Sequence, residues 1–156
     1  MALIAHYDDA VRDAEIARIR RVIALRALLE DGHSQGQLAR RFGFTQPAIS
    51  YQVAKERTEG VLPSDLLEAG GAVLKQVAED RGFRRLGVFG SVARGEDRLD
   101  SDFDFLVEPP EGATLFDLMN LEDAFARILG RDIDVVSYRG LHPQLDKDIL
   151  KDTVLV

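Results

Sequence analysis

Apolar residues early in the chain recur at three- and four-residue steps. Ile16, Ile19, Ile23, Ala27 and Leu28 fall on one helical face, and Asp31-Gly32 ends that helix. The pattern predicts a short helix over roughly 35–42 and another over roughly 46–57. Gly60 and Pro63, within Thr58-Glu59-Gly60-Val61-Leu62-Pro63-Ser64, then break the helical pattern. Beyond this break Leu66, Leu67, Val73, Leu74 and Val77 predict a helix ending near Arg81-Gly82. Short apolar runs at 85–89, 102–107 and 133–136 have strand length. A helix over 114–129 turns Leu115, Leu118, Leu121, Phe125 and Ile128 inward, and a last short helix falls near 143–151. Helices before the break, then helices alternating with short strands, predict an all-α segment over 1–60. A small sheet with helices packed on it should follow over 61–156.

Composition sharpens this division. The 156 residues are 46% hydrophobic and 30% charged, which excludes wholesale disorder. No apolar run approaches the ~20 residues of a membrane span, and the first residues carry no secretory leader, so a cytoplasmic location is expected. The absence of cysteine excludes disulfides, thiol catalysis and cysteine-based zinc sites. His6, His33 and His142 are scattered without ligand spacing. The net charge of −7 is uneven. Residues 1–60 hold nine Lys and Arg against eight Asp and Glu, whereas residues 61–156 hold eleven against nineteen. The acidic half is a poor surface for long nucleic acid. The near-neutral half can bind DNA if its basic groups share a face.

Within that first half, residues 33–55 read HSQGQLARRFGFTQPAISYQVAK. Ala39 is small enough for a helix crossing, Gly43 suits a turn, and Leu38, Phe42, Phe44 and Ile49 are apolar locks. Thr45 can cap the second helix, and Pro47 falls in its first turn. QLARRFGFTQPAIS resembles the helix-turn-helix of phage-repressor-like (XRE-type) regulators. Gln52 departs from the apolar residue common at its position, where Val53 can substitute. The resemblance implies that Gln46, Ser50, Tyr51 and Lys55 approach DNA bases and phosphates, with Arg40 and Arg41 on the backbone. A hairpin used only for dimerisation or docking is the alternative.

The sharper motif is GVFGSVARGEDRLDSDFDFLVE, residues 87–108. Asp102 and Asp104, two apart on a strand, share one face. Such carboxylates repel unless a cation lies between them, which suggests magnesium. Gly90 allows close backbone approach, and Ser91 opens a helix whose N–H groups suit phosphate. The run Gly90-Ser91-Val92-Ala93-Arg94-Gly95 through Ser101-Asp102-Phe103-Asp104 resembles the minimal nucleotidyltransferase (MNT) branch of the DNA polymerase beta-like superfamily. The resemblance covers roughly residues 64–156.

It implies an α+β chain: a helix-turn-helix domain, then a nucleotidyltransferase domain with a mixed sheet flanked by helices. It supplies a third carboxylate at Asp134, with Asp132 as the fallback. The implied roles are metal binding by Asp102, Asp104 and Asp134, with Asp134 as general base or ligand of a second metal. Gly90 and Ser91 would hold the β and γ phosphates of ATP, and Arg94 would touch a phosphate or serve as an ion-pair partner. Phe103 and Phe105 read as core. Proteins of this branch typically act as antitoxins beside HEPN-domain ribonuclease toxins, attaching AMP to a toxin tyrosine. The expected partners are therefore a HEPN-type toxin and operator DNA, with no membrane. A palindromic operator would call for a homo-oligomer.

Overall fold

The computed structural model describes all residues 1–156. Helix α1 (Ala2–Glu30) runs far beyond the predicted stripe, but buries side chains only from Ile19 onward. Ser34 and Gln37 form a capping box at the start of α2 (Gln35–Phe42). Gly43 ends α2 in the left-handed region, at φ 74°, a conformation costly for a residue with a Cβ. The Thr45 hydroxyl accepts from the Ala48 N–H at 3.2 Å and starts α3 (Gln46–Val53).

Helix α3 stops four residues before the predicted end at 57. Ala54 is extended, and Lys55–Thr58 form a 3-10 turn. The cause is tertiary. The Arg26 guanidinium draws the carbonyls of Val53 and Ala54 toward itself, at 3.1 and 2.8 Å.

Past Gly60 come α4 (Pro63–Asp80), β1 (Arg84–Phe89), the single turn α5 (Gly90–Ala93), β2 (Phe103–Glu108), α6 (Leu115–Leu129) and β3 (Ile133–Ser137). Then follow α7 (Lys147–Asp152) and β4 (Val154–Leu155). The predicted final helix near 143–151 begins later. The Asp146 carboxylate accepts from the His142 N–H at 2.7 Å and folds residues 142–146 into a turn. The two-residue β4 carries no periodicity of its own. It exists because Gly87 and Val88 of β1 offer it an edge.

The sheet order is β3-β2-β1-β4, with β1–β2 and β1–β4 antiparallel and β2–β3 parallel. The sheet is therefore mixed, as expected. Phe103, Phe105 and Val107 of β2 pass into a 19-residue core with Leu66 and Leu74 of α4 and Leu121, Phe125 and Ile128 of α6. Phe103 stacks on Phe105 at 5.5 Å, and Phe105 meets Phe125 edge-on at 5.2 Å, which bears out their reading as core.

The chain turns at the expected boundary near Gly60, but the core is not cut there. Ile19 and Ile23 of α1 belong to the same core as the sheet, while Leu25, Leu38, Ala39 and Ile49 make a small cluster beneath α2 and α3. Arginines bridge the two sides. Arg26, 6% exposed, also donates to Thr58 Oγ1 at 3.0 Å and to the Ile128 carbonyl at 3.1 Å. Arg131 donates to the carbonyls of Thr58 and Val61, and Arg127 forms a fork with Glu30.

Replacing Arg26 strands four acceptors at once, two buried and two part-buried. Arg26→Leu is expected to lower stability by about 3 kcal/mol in denaturant titration. Because α1 shares the main core, the transition should remain single for the whole chain. Two resolved transitions would show that the halves unfold independently.

Candidate active site

The strand register assembles the candidate site. Asp104 of β2 pairs with Phe89 of β1 on one side and with Asp134 of β3 on the other. The parallel β2–β3 pairing therefore sets two carboxylates from distant segments side by side on one face. Asp102 lies just ahead of β2 rather than on it, contrary to the expected strand position. The Phe103 N–H reaches across to the Asp132 carbonyl at 3.2 Å, and this bond begins the β2–β3 pairing. Asp134, not the fallback Asp132, is thus the register neighbour of Asp104.

Gly90 follows Phe89 directly, at φ 76°. A Cβ there would run into the Asp104 carboxylate, so only glycine lets the turn approach this acid. Ser91 is half-buried in the same turn.

Asp104 is half-buried, while Asp102 and Asp134 are exposed. Burial first, then the charges of Asp134 and Asp102, push the Asp104 carboxyl above the usual carboxylate range, against the pull of Arg94. No ion pair reaches any of the three acids. Arg94 instead pairs with Glu96 and with Asp152 of α7, both at 3.1 Å. Asp152 carried no sequence signal, because only the fold brings α7 to Arg94.

Three uncompensated carboxylates are the hard oxygen donors that magnesium prefers, and Gly90 leaves room beside them. The donor set fits the cation chemically. The side chains are not, however, drawn together into a ready-made group of three metal ligands.

The N-terminal candidates lie apart from this site. Gln46, Ser50 and Tyr51 are exposed on α3, Arg40 and Arg41 on α2, and Lys55 on the 3-10 turn. Arg57, not singled out by the sequence pattern, lies 4.7 Å over the Tyr51 ring and donates to its hydroxyl at 3.1 Å. Tyr51 therefore presents a phenol already paired with a cation.

The family model for polymerase beta nucleotidyltransferases matches residues 74–156, and the chain belongs to that family. The protein adenylyltransferase MntA of Thermococcus cleftensis is 38% identical over 82 residues, covering 53% of this chain and 83% of the relative. A Methanocaldococcus jannaschii protein with a provisional protein adenylyltransferase name is 42% identical over 73 residues, covering 47% and 78%. A solved structure described provisionally as a minimal nucleotidyltransferase superposes with a TM-score of 0.57 at 39% identity, covering 62% of this chain and 99% of that one. The chain is thus a nucleotidyltransferase of the minimal type. Residues 1–73 lie outside the family model. No helix is long and apolar enough to cross a membrane.

The raised Asp104 pKa has a stability sign. A carboxyl whose pKa is raised by folding opposes the folded state once it ionises, so its cost is absent at low pH and grows as pH rises. Asp104→Asn should therefore raise Tm at pH 7 in chelator, with the gain vanishing below about pH 4, near the unperturbed carboxylate value. Magnesium should narrow the gap by stabilising the wild type. A mutant less stable at pH 7 would contradict the account.

Proposed function

We propose that the chain is the antitoxin of a toxin–antitoxin pair, transferring AMP from ATP to a hydroxyl, most simply a tyrosine, of a HEPN-type ribonuclease toxin. The observation that carries this reading is the Asp104–Asp134 register pair, with Asp102 ahead of it and Gly90 against it. The relatives named as protein adenylyltransferases support it. The acceptor oxygen bonds to the α-phosphorus as the bridging oxygen to the β-phosphorus departs with pyrophosphate. Asp134, at the sheet surface, takes the acceptor proton, and Gly90 and Ser91 hold the β and γ phosphates. Magnesium, when bound by Asp102, Asp104 and Asp134, would neutralise phosphate charge and align the reacting groups. The phosphate added to the toxin would put negative charge where RNA phosphates must lie.

We assign Gln46, Ser50, Tyr51 and Lys55, with Arg40 and Arg41, to operator DNA, so that the protein represses its own operon. A second reading is a DNA-binding repressor whose nucleotidyltransferase domain only docks the toxin or senses nucleotide. The complete set of Asp102, Asp104 and Asp134 favours transfer over this docking reading.

Intact-mass spectrometry of the cognate toxin after incubation with ATP and magnesium separates the two. AMP-sized additions, absent with Asp104→Asn, are expected. A toxin that is neutralised yet unmodified would promote the docking reading.

Operator binding is expected to weaken by tenfold or more between 50 and 200 mM salt, as phosphate contacts require. Gln46→Ala should relax sequence preference more than Arg40→Ala does. Absence of sequence-specific binding by the full-length protein would reduce α2 and α3 to a packing element.

A further inference from the structure

A cleft of about 700 Å³ adjoins the candidate site on its β3 flank. One wall is the loop Leu99–Asp102 leading into β2. Another is Gly130–Asp132 leading into β3. The wall facing them comes from the other end of the chain: Val53, Lys55, Glu59 and Gly60. These last four residues lie outside the family model, so this wall belongs to the N-terminal segment and not to the matched domain.

From this arrangement we infer that the N-terminal segment forms part of the acceptor site, and that the cleft takes a cationic, hydroxyl-bearing polypeptide segment. The inference rests on the nucleotidyl-transfer reading above. In that reaction the attacking and leaving oxygens lie roughly in line on opposite sides of the α-phosphorus. Gly90-Ser91, assigned to the β and γ phosphates, lies on the β1 side of Asp104, and the cleft lies on the β3 side, with β2 between them. A triphosphate anchored at Gly90-Ser91 leaves only the β3 side for the incoming hydroxyl. Asp102 is shared by the site and the cleft, so a group seated in the cleft reaches the metal-binding acids directly.

The chemistry of the walls selects the occupant. Glu59, Asp100, Asp102 and Asp132 face the cleft with no ion pair. The three lining arginines already spend their donors, Arg26 on neutral carbonyls and the Thr58 hydroxyl, Arg131 on the carbonyls of Thr58 and Val61, and Arg127 on Glu30, and only Arg127 is neutralised by its partner. Lys55 alone keeps a free cationic head. Carboxylates without donors are satisfied by lysine or arginine side chains of an acceptor chain.

The absence of cysteine makes the test direct. Full-length Glu59→Cys is labelled with a fluorescein maleimide to fill the cleft, and Ala72→Cys, exposed on α4, is labelled as the control. Radiolabelled ATP and magnesium are supplied with a lysine–tyrosine copolymer or a glutamate–tyrosine copolymer, and ATP affinity is measured in parallel by calorimetry. The unlabelled protein should label the lysine copolymer at least tenfold over the glutamate copolymer. The label at residue 59 should cut that transfer at least tenfold with ATP affinity kept, and the label at residue 72 should leave it unchanged. Undiminished transfer from the filled cleft, or no preference between the copolymers, overturns the acceptor cleft while leaving the nucleotidyl-transfer reading in place. A wild type that fails to bind ATP with magnesium overturns that reading, and the inference with it.

Discussion

A buried guanidinium without a carboxylate partner is the constraint on which the rest of this structure depends. Arg26 is almost wholly enclosed, and burial first, then the like charge of Arg131, lower its pKa from the ordinary arginine value. A desolvated charge is tolerated only when its donors are satisfied. Four oxygens satisfy them: the carbonyls of Val53, Ala54 and Ile128 and the Thr58 hydroxyl. Those oxygens come from the end of α3, the 3-10 turn and the last turn of α6. The charge on α1 thereby fixes where α3 ends and how the turn crosses to the sheet. It also holds the last turn of α6 at Ile128, two residues before the Gly130–Asp132 loop that enters β3.

That placement bears on the chemistry. The β2–β3 register sets Asp104 beside Asp134, and β3 starts from the segment that Arg26 and Arg131 tie to Thr58 and Val61. The opposing tension is local. Three acids lie close without an ion pair, and Asp104 bears the burial. The site is held by backbone pairing and by the packing of Phe103 and Phe105, not by its own polar contacts. On the outer edge of the sheet, the Val135 N–H is taken by Glu122 of α6 at 3.0 Å, which leaves that donor unavailable to another strand.

Much was legible in the residues alone. Helix α2 is bounded by its cap and its glycine, and both are local signals. The strands at β1, β2 and β3 fall within a residue of the expected runs, because an apolar segment flanked by glycine and aspartate has few other stable uses. Asp104 and Gly90 were singled out by their spacing. The early end of α3, the late start of α7 and the existence of β4 were not legible. The first and the last are imposed by partners far away in sequence, Arg26 on α3 and the edge of β1 on β4, whereas α7 is delayed by the local turn between His142 and Asp146. The close of Arg94 on Asp152 is also long-range.

What the sequence determined by itself is the helices and the three longer strands, the spacing of Gly90-Ser91 from Asp102 and Asp104, and the unequal charge of the two halves. Caps, periodicity and spacing act within a few residues, so they are readable from the chain. The tertiary structure decided that the N-terminal helices share a core with the sheet, that Arg94 answers Asp152, and that Asp134 rather than Asp132 meets Asp104. It also decided that a cleft beside Asp102 is walled by residues from before Gly60. These are long-range contacts. They are set by which buried surfaces and buried donors must be satisfied together, and no local pattern encodes that requirement.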